Sequence, residues 1–135
     1  MKTIIFDIDG TLTNMWPIEK AVLLRLLGRR SENTIDRIRN YGIKDTYKIF
    51  CKISSKKISE IEYRKAYEKK LQSLLLRNDL PETERYPTVD WILKNKSAYH
   101  FVYATGGREG ETNYVLNSFG LAKYFDLKKD RKSVV

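Results

Sequence analysis

Two carboxylates separated by one residue, Asp7 and Asp9, close a short apolar run in the stretch Lys2-Thr-Ile-Ile-Phe-Asp-Ile-Asp-Gly-Thr-Leu-Thr13. Oxygen donors at that spacing can converge on one hard cation such as Mg²⁺, which keeps several of its waters. With a phosphate held beside such a cation, one carboxylate can act as a nucleophile. The other can protonate the leaving oxygen and then take a proton from water. Gly10 permits the sharp turn that lets main-chain amides face a phosphate. An Asp-x-Asp pair is also an ordinary way to end a strand in a polar turn. The apolar run before it and the Gly-Thr-Leu-Thr after it favour the catalytic reading.

The element that must position these carboxylates is a strand. Ile4, Ile5 and Phe6 form a continuous apolar, β-branched run, the pattern of a parallel strand buried on both faces. The carboxylates then sit at its carboxyl end, where open α/β sheets bind their ligands. A second junction of this type is Val102-Tyr103-Ala104-Thr105-Gly106-Gly107, an apolar strand ending in a hydroxyl and two glycines before a helix. A hydroxyl and exposed amides there suit a phosphate oxygen, although a plain strand-to-helix turn would look the same.

Between the two junctions the chain reads as helical. Pro17 suits a first helical turn, and Ile18 to Leu27 carries Val22, Leu23, Leu26 and Leu27 on one face before Gly28. Ser31 to Asn40 is a second helix. Ile43 to Ile53 is a third, although its aromatic and β-branched residues also suit a strand. Ser59 and Glu62 form a capping-box pair that starts a long helix to about Arg77, with Ile61, Leu71, Leu74 and Leu75 inward. Thr88 can cap a short helix bearing Val89, Trp91, Ile92 and Leu93. Tyr99 to Ala104 then forms the second strand. A helix over Glu109 to Ser118 turns Val115, Leu116 and Phe119 inward, and Leu121 to Leu127 leads into a third strand. The layout is α/β with a helical block inserted after the first strand.

The composition sets bounds. A chain of 135 residues with 41% hydrophobic content can bury one core with an insertion. The single Cys51 excludes an intramolecular disulfide and reads as a small core residue. No apolar stretch approaches a membrane span, and Asp7 interrupts the N-terminal run, so no signal peptide is expected and the reading is a cytoplasmic protein. The net charge of +9 raises the question of nucleic acid. Its Lys and Arg residues are spread along the chain and mixed with Glu, as on solvated helix faces, which argues against that partner. His100 lies within the second strand and reads as structural, Arg108 as a solvated first-turn residue, and Trp16 as packing.

Asp7-Ile8-Asp9-Gly10-Thr11 resembles the first motif of the haloacid dehalogenase-like (HAD) superfamily, and Thr105-Gly106 its second. Tyr86-Pro87-Thr88-Val89 and Phe119 to Asp126 resemble its phosphoglycolate-phosphatase-like branch. The resemblance implies a Rossmann-like parallel sheet core over residues 1–13 and 81–135, with residues 14–80 as an α-helical cap that closes over the site and excludes water. It implies Asp7 as nucleophile, Asp9 as general acid/base, and Mg²⁺ held by Asp7, Asp9 and the Ile8 carbonyl. Thr105, Gly106 and Gly10 would bind the substrate phosphate. The implied activity is hydrolysis of a small phosphorylated metabolite through an aspartyl-phosphate.

The family's third motif, a charge-balancing base, and its fourth, an acidic pair, are not evident after Asp126. Lys132 or Lys129 could replace the base. A core ending there would leave an exposed sheet edge open to self-association. The alternatives are therefore a truncated, weakly active or inactive relative serving as a binding module and, lower, a basic nucleic-acid-binding protein.

Overall fold

The computed structural model describes residues 1–104 and 108–126. Its contacts divide the chain into two compact units. One joins Met1–Met15 to the segment from Glu82 onward, and the other is Trp16–Pro81.

The first unit is α/β. Strands β1 (Thr3–Phe6), β2 (His100–Tyr103) and β3 (Phe125–Asp126) form a parallel sheet in the order β1-β2-β3. Ile4 pairs with Phe101 and Ile5 with Val102, while Phe101 pairs with Phe125. Parallel strands need a crossover between them. Helix α5 (Pro87–Lys94) precedes β2, and α6 (Glu109–Ser118) follows it. On one face of the sheet, the rings of Phe6, Phe101 and Phe125 lie 5.8–6.2 Å apart. Trp91 of α5 sits 6.3 Å from Phe6 and 6.4 Å from Phe101. Tilted aromatic packing of this kind adds to simple area burial. Helix α6 buries Val115 and Leu116 completely, as its spacing predicts, and Gly120 stops it at φ 71°.

The second unit is helical: α1 (Trp16–Leu27), α2 (Glu32–Asn40), α3 (Thr46–Ile53) and α4 (Glu60–Leu76). The segment left open between helix and strand is helical, because the Asp45 carboxylate accepts from the Tyr47 amide and caps α3. The capping box at Ser59 and Glu62 forms in both directions, each bond 3.1 Å. Lys20 of α1 binds Glu32 at 3.0 Å and Asp36 at 2.9 Å, which ties α1 to α2. The guanidinium of Arg39 covers the Trp16 ring at 4.1 Å.

Four expectations are corrected. On α4, Tyr63, Tyr67, Leu71 and Leu74 are buried, while Ile61 is 67% exposed and Leu75 is only half-buried. The large tyrosine rings, packed with Phe50, take the inward face that Ile61 would have filled. Cys51 is exposed rather than in the core, because Ile49 and Phe50 occupy the buried side of α3. Thr88 does not cap α5, whose N-cap is Tyr86 with no side-chain bond. Ile5 is 60% exposed, since among the described residues β1 has a strand on one side only and is not covered on both faces.

Candidate active site

Strand β1 ends at Phe6, and the next three residues place the two carboxylates. Asp7 is half-buried, and its Oδ1 accepts from the Ile8 amide at 3.0 Å. Ile8 is 1% exposed, so its side chain anchors the inside of the turn while Asp9 faces outward. Oδ1 of Asp9 accepts from the Met15 amide at 2.9 Å, which fixes the second carboxylate against the end of its own loop.

The loop between them closes on itself. Gly10 adopts φ 82°, a left-handed conformation that L side chains rarely take. Its amide donates to the Thr13 carbonyl at 2.7 Å. The Gly10 N–H is therefore committed to the turn, and the glycine shapes the loop rather than offering its own amide to a phosphate. The Ile8 carbonyl accepts from Leu12 at 2.9 Å, and from Thr11 and Thr13 at longer range. The carbonyl that the family resemblance assigns to a metal is thus also an acceptor within its own turn.

Leu12 and Thr13 are fully buried and hold the loop to the returning chain. The Thr13 hydroxyl donates to the Glu84 carbonyl, and the Tyr86 amide donates to the Leu12 carbonyl at 3.0 Å. Sequence reasoning passed over Thr13. Its signal was a second hydroxyl residue two positions after Thr11, at the exit from a glycine turn.

The second junction lies beside the first. Phe6 pairs with Tyr103, and the Ala104 amide donates to the Phe6 carbonyl at 2.9 Å, so Ala104 stands next to Asp7 at the carboxyl end of the strands. Thr105, Gly106, Lys129 and Lys132 lie outside the described residues. Arg108 is the N-cap of α6, and its guanidinium lies 3.6 Å from the Glu111 carboxylate. Its side chain is 27% exposed and that of Glu111 only 4%, so Arg108 is not the solvated residue that its position suggests. The buried Glu111 was also missed; an acid in the first helical turn, favoured by the helix dipole, was its signal.

Asp7 and Asp9 supply the hard oxygen donors that Mg²⁺ prefers. Among the described residues, no group of three or more His, Cys, Asp or Glu gathers around a common point. Among the same residues, no helix is long and apolar enough to cross a membrane.

A family model described as haloacid dehalogenase-like hydrolase matches residues 4–132. The chain belongs to that family. Six chains of solved structures match this haloacid dehalogenase-like hydrolase. One is a Thermotoga maritima protein whose crystal structure is described as that of a beta-phosphoglucomutase, with 18% identity and a TM-score of 0.53. The match covers 93% of this chain and 59% of the other, so this chain spans about three-fifths of that protein's length. At this identity the likeness speaks to the fold. No curated protein matches the chain.

Proposed function

We propose that this chain is a Mg²⁺-dependent phosphohydrolase acting in the cytoplasm on a small phosphorylated metabolite. The observation that carries the reading is the placement of Asp7 and Asp9 at the carboxyl end of β1, beside the end of β2 at Ala104. Residues 1–13 and 81–135 read as the core and residues 14–80 as an inserted helical cap.

An oxygen of Asp7 attacks phosphorus, the bond to the leaving oxygen breaks, and Asp9 gives that oxygen its proton. Asp9 then takes a proton from water, whose oxygen attacks the same phosphorus. The aspartyl bond breaks, inorganic phosphate leaves and Asp7 is regenerated. Thr105 and the amide of Gly106 hold phosphoryl oxygens, with Lys132 or Lys129 as a charge-balancing base. Asp7 and Asp9 would hold Mg²⁺, which would supply neutralisation of the charge that gathers on the phosphoryl group. The hydrogen bond from Met15 to Asp9 supports the assignment, because it holds the proton-transfer group in one rotamer.

The test is hydrolysis of an aryl phosphate with Mg²⁺ by the wild type and by Asp7→Asn. Turnover that disappears in the variant, and in the wild type on chelation, agrees with the mechanism. Equal rates in the two proteins would overturn it.

A weakly active or inactive chain that serves as an interaction module is the second reading. It is favoured by the apolar surface that Met1 and Ile5 expose on β1, which among the described residues has no strand on its outer side and would give a place for self-association.

A further inference from the structure

Along the chain the cations look evenly mixed with acids, but the fold sorts them. The helical unit Trp16–Pro81 holds sixteen Lys and Arg against eight Asp and Glu, so it carries +8 of the net +9. Its carboxylates are engaged internally. Glu32 and Asp36 bind Lys20, Glu60 binds Arg64 and Asp79 binds Arg25, while Asp45 and Glu62 cap helices. The surplus cations are not. Lys44, Lys48, Lys52 and Lys56 recur at four-residue spacing through α3 and its flanks. All four are exposed, and none has a carboxylate partner among the described residues. Lys48 and Lys52 stand about 6 Å apart along the helix axis. Like charges at that spacing lower helix stability, so the fold gains nothing from the stripe by itself. The apolar residues Ile49 and Phe50 of α3 are buried, which leaves the stripe no apolar face to lay on a lipid surface.

The ring of Tyr41, the residue that closes α2, is 83% exposed. With Asn33, Asp36, Arg37 and Asn40 it lines a shallow groove of about 400 Å³ on that helix. Asp36, the acid in the groove, has its carboxylate on Lys20 at 2.9 Å. Asn33 and Asn40 bring amide donors and acceptors, and Arg37 a guanidinium. Gly42 then turns at φ 102° and the chain enters α3, which packs against α2. Lys44 is three residues beyond the ring, which puts the start of the stripe within about 11 Å of it.

We propose that the helical unit binds single-stranded nucleic acid, with one unpaired base on the Tyr41 ring and the neighbouring phosphates on Lys44, Lys48 and Lys52. An exposed aromatic ring beside a run of cations is the arrangement that holds single strands, because every base offers a face to stack and every nucleotide a phosphate. The Asn33 and Asn40 amides can meet the edge of the stacked base. A duplex keeps its bases stacked inside and cannot use the ring. The charge complements a polyanion, and the carboxylates of the unit do not compete for it because they are already bonded. The proposal does not rest on the hydrolase reading, since all of these residues lie outside the α/β unit that carries Asp7 and Asp9.

The test is fluorescence anisotropy of the full chain with labelled oligo(rU) and oligo(dT) of about twelve nucleotides, the length one small binding surface covers. The strands carry no terminal phosphate and the buffer contains EDTA, which keeps them from reporting on the hydrolase site. At least one strand should bind saturably, and the tighter of the two identifies the preferred sugar. Log K should fall against log salt with a slope of about −2, the value for three phosphates neutralised on a single strand. Lys48→Ala with Lys52→Ala should bring the slope to about −0.7. Tyr41→Ala should weaken binding about tenfold and leave the slope as it was, and Tyr41→Phe should keep most of the affinity. These side chains are exposed, so the fold is spared, and circular dichroism checks that it is. Lys65→Ala with Lys69→Ala removes the same charge from α4 and should leave the slope unchanged. Absence of binding at low salt, an equal loss from the α4 pair, or full affinity in Tyr41→Ala would overturn the proposal. So would tighter binding of a duplex of the same length, or of anionic vesicles in place of the strand.

Discussion

The main-chain amide of Met15 donates to Oδ1 of Asp9 at 2.9 Å across a loop that Gly10 turns back on itself. The second carboxylate of the pair is therefore held from outside the strand that carries the first. Replacing Asp9 by Asn keeps an acceptor for Met15 but removes the transferable proton. Turnover of an aryl phosphate should fall about 10²- to 10⁴-fold, the usual contribution of a general acid/base. The melting temperature should stay within error of wild type. Asp9→Ala should lose the same activity and about 1 kcal/mol of stability besides, because the Met15 hydrogen bond goes too.

Thr13 should contribute to stability through its one long-range hydrogen bond. Its buried hydroxyl donates to the Glu84 carbonyl, and Thr13→Val keeps the shape while removing that donor. Urea unfolding should show a loss of about 0.5–1.5 kcal/mol, the net worth of one hydrogen bond, because Glu84 is exposed and water can take the place of the hydroxyl.

On α4, two residues that the sequence treats alike should behave differently. Leu71 is fully buried, and Leu71→Ala should cost about 2–5 kcal/mol through lost burial and the cavity left behind. Ile61 is largely exposed, and Ile61→Ala should stay within about 0.5 kcal/mol of wild type by the same denaturation measurement.

Lys20 gives a pH dependence of known sign. Its hydrogen bond to Asp36 comes first and the one to Glu32 adds to it; against the opposing cost of burial, they raise its pKa above the ordinary 10.5. A group whose folded pKa is raised contributes fully below its unfolded pKa and loses that contribution as pH climbs through the folded one. Lys20→Met should therefore destabilise at neutral pH by about 0.5 kcal/mol, modest because both carboxylates are well exposed. The gap between variant and wild type should close above pH 10.5, as thermal melts at several pH values would show.

Much of the architecture could be read before the structure. Helix α6 and the long α4 begin and end within a residue or two of their caps and stops, because Ser59, Glu62 and Gly120 act locally. Asp7 and Asp9 were visible because a strand end and a glycine turn leave a local pattern. What escaped depends on distant partners. Tyr63 and Tyr67 displaced Ile61 from the core of α4 through contacts with Phe50 on another helix. The Thr13 hydroxyl finds its partner 71 residues away. Ile5 looked doubly buried because an apolar run records what a strand can tolerate, not which neighbours it has.

The bonds from Thr13 to Glu84 and from Tyr86 to Leu12 bring the outgoing and returning chain together at one point of the α/β unit. Everything between them is a detour that begins and ends at the same doorway. Loop-closure entropy rises only slowly with length, roughly 0.6 kcal/mol for each doubling. The detour can therefore lengthen, shorten or be exchanged for another at little thermodynamic expense, provided the doorway bonds survive. Such a site lets a lineage vary what the chain carries between the two bonds while leaving the Asp7–Asp9 turn untouched.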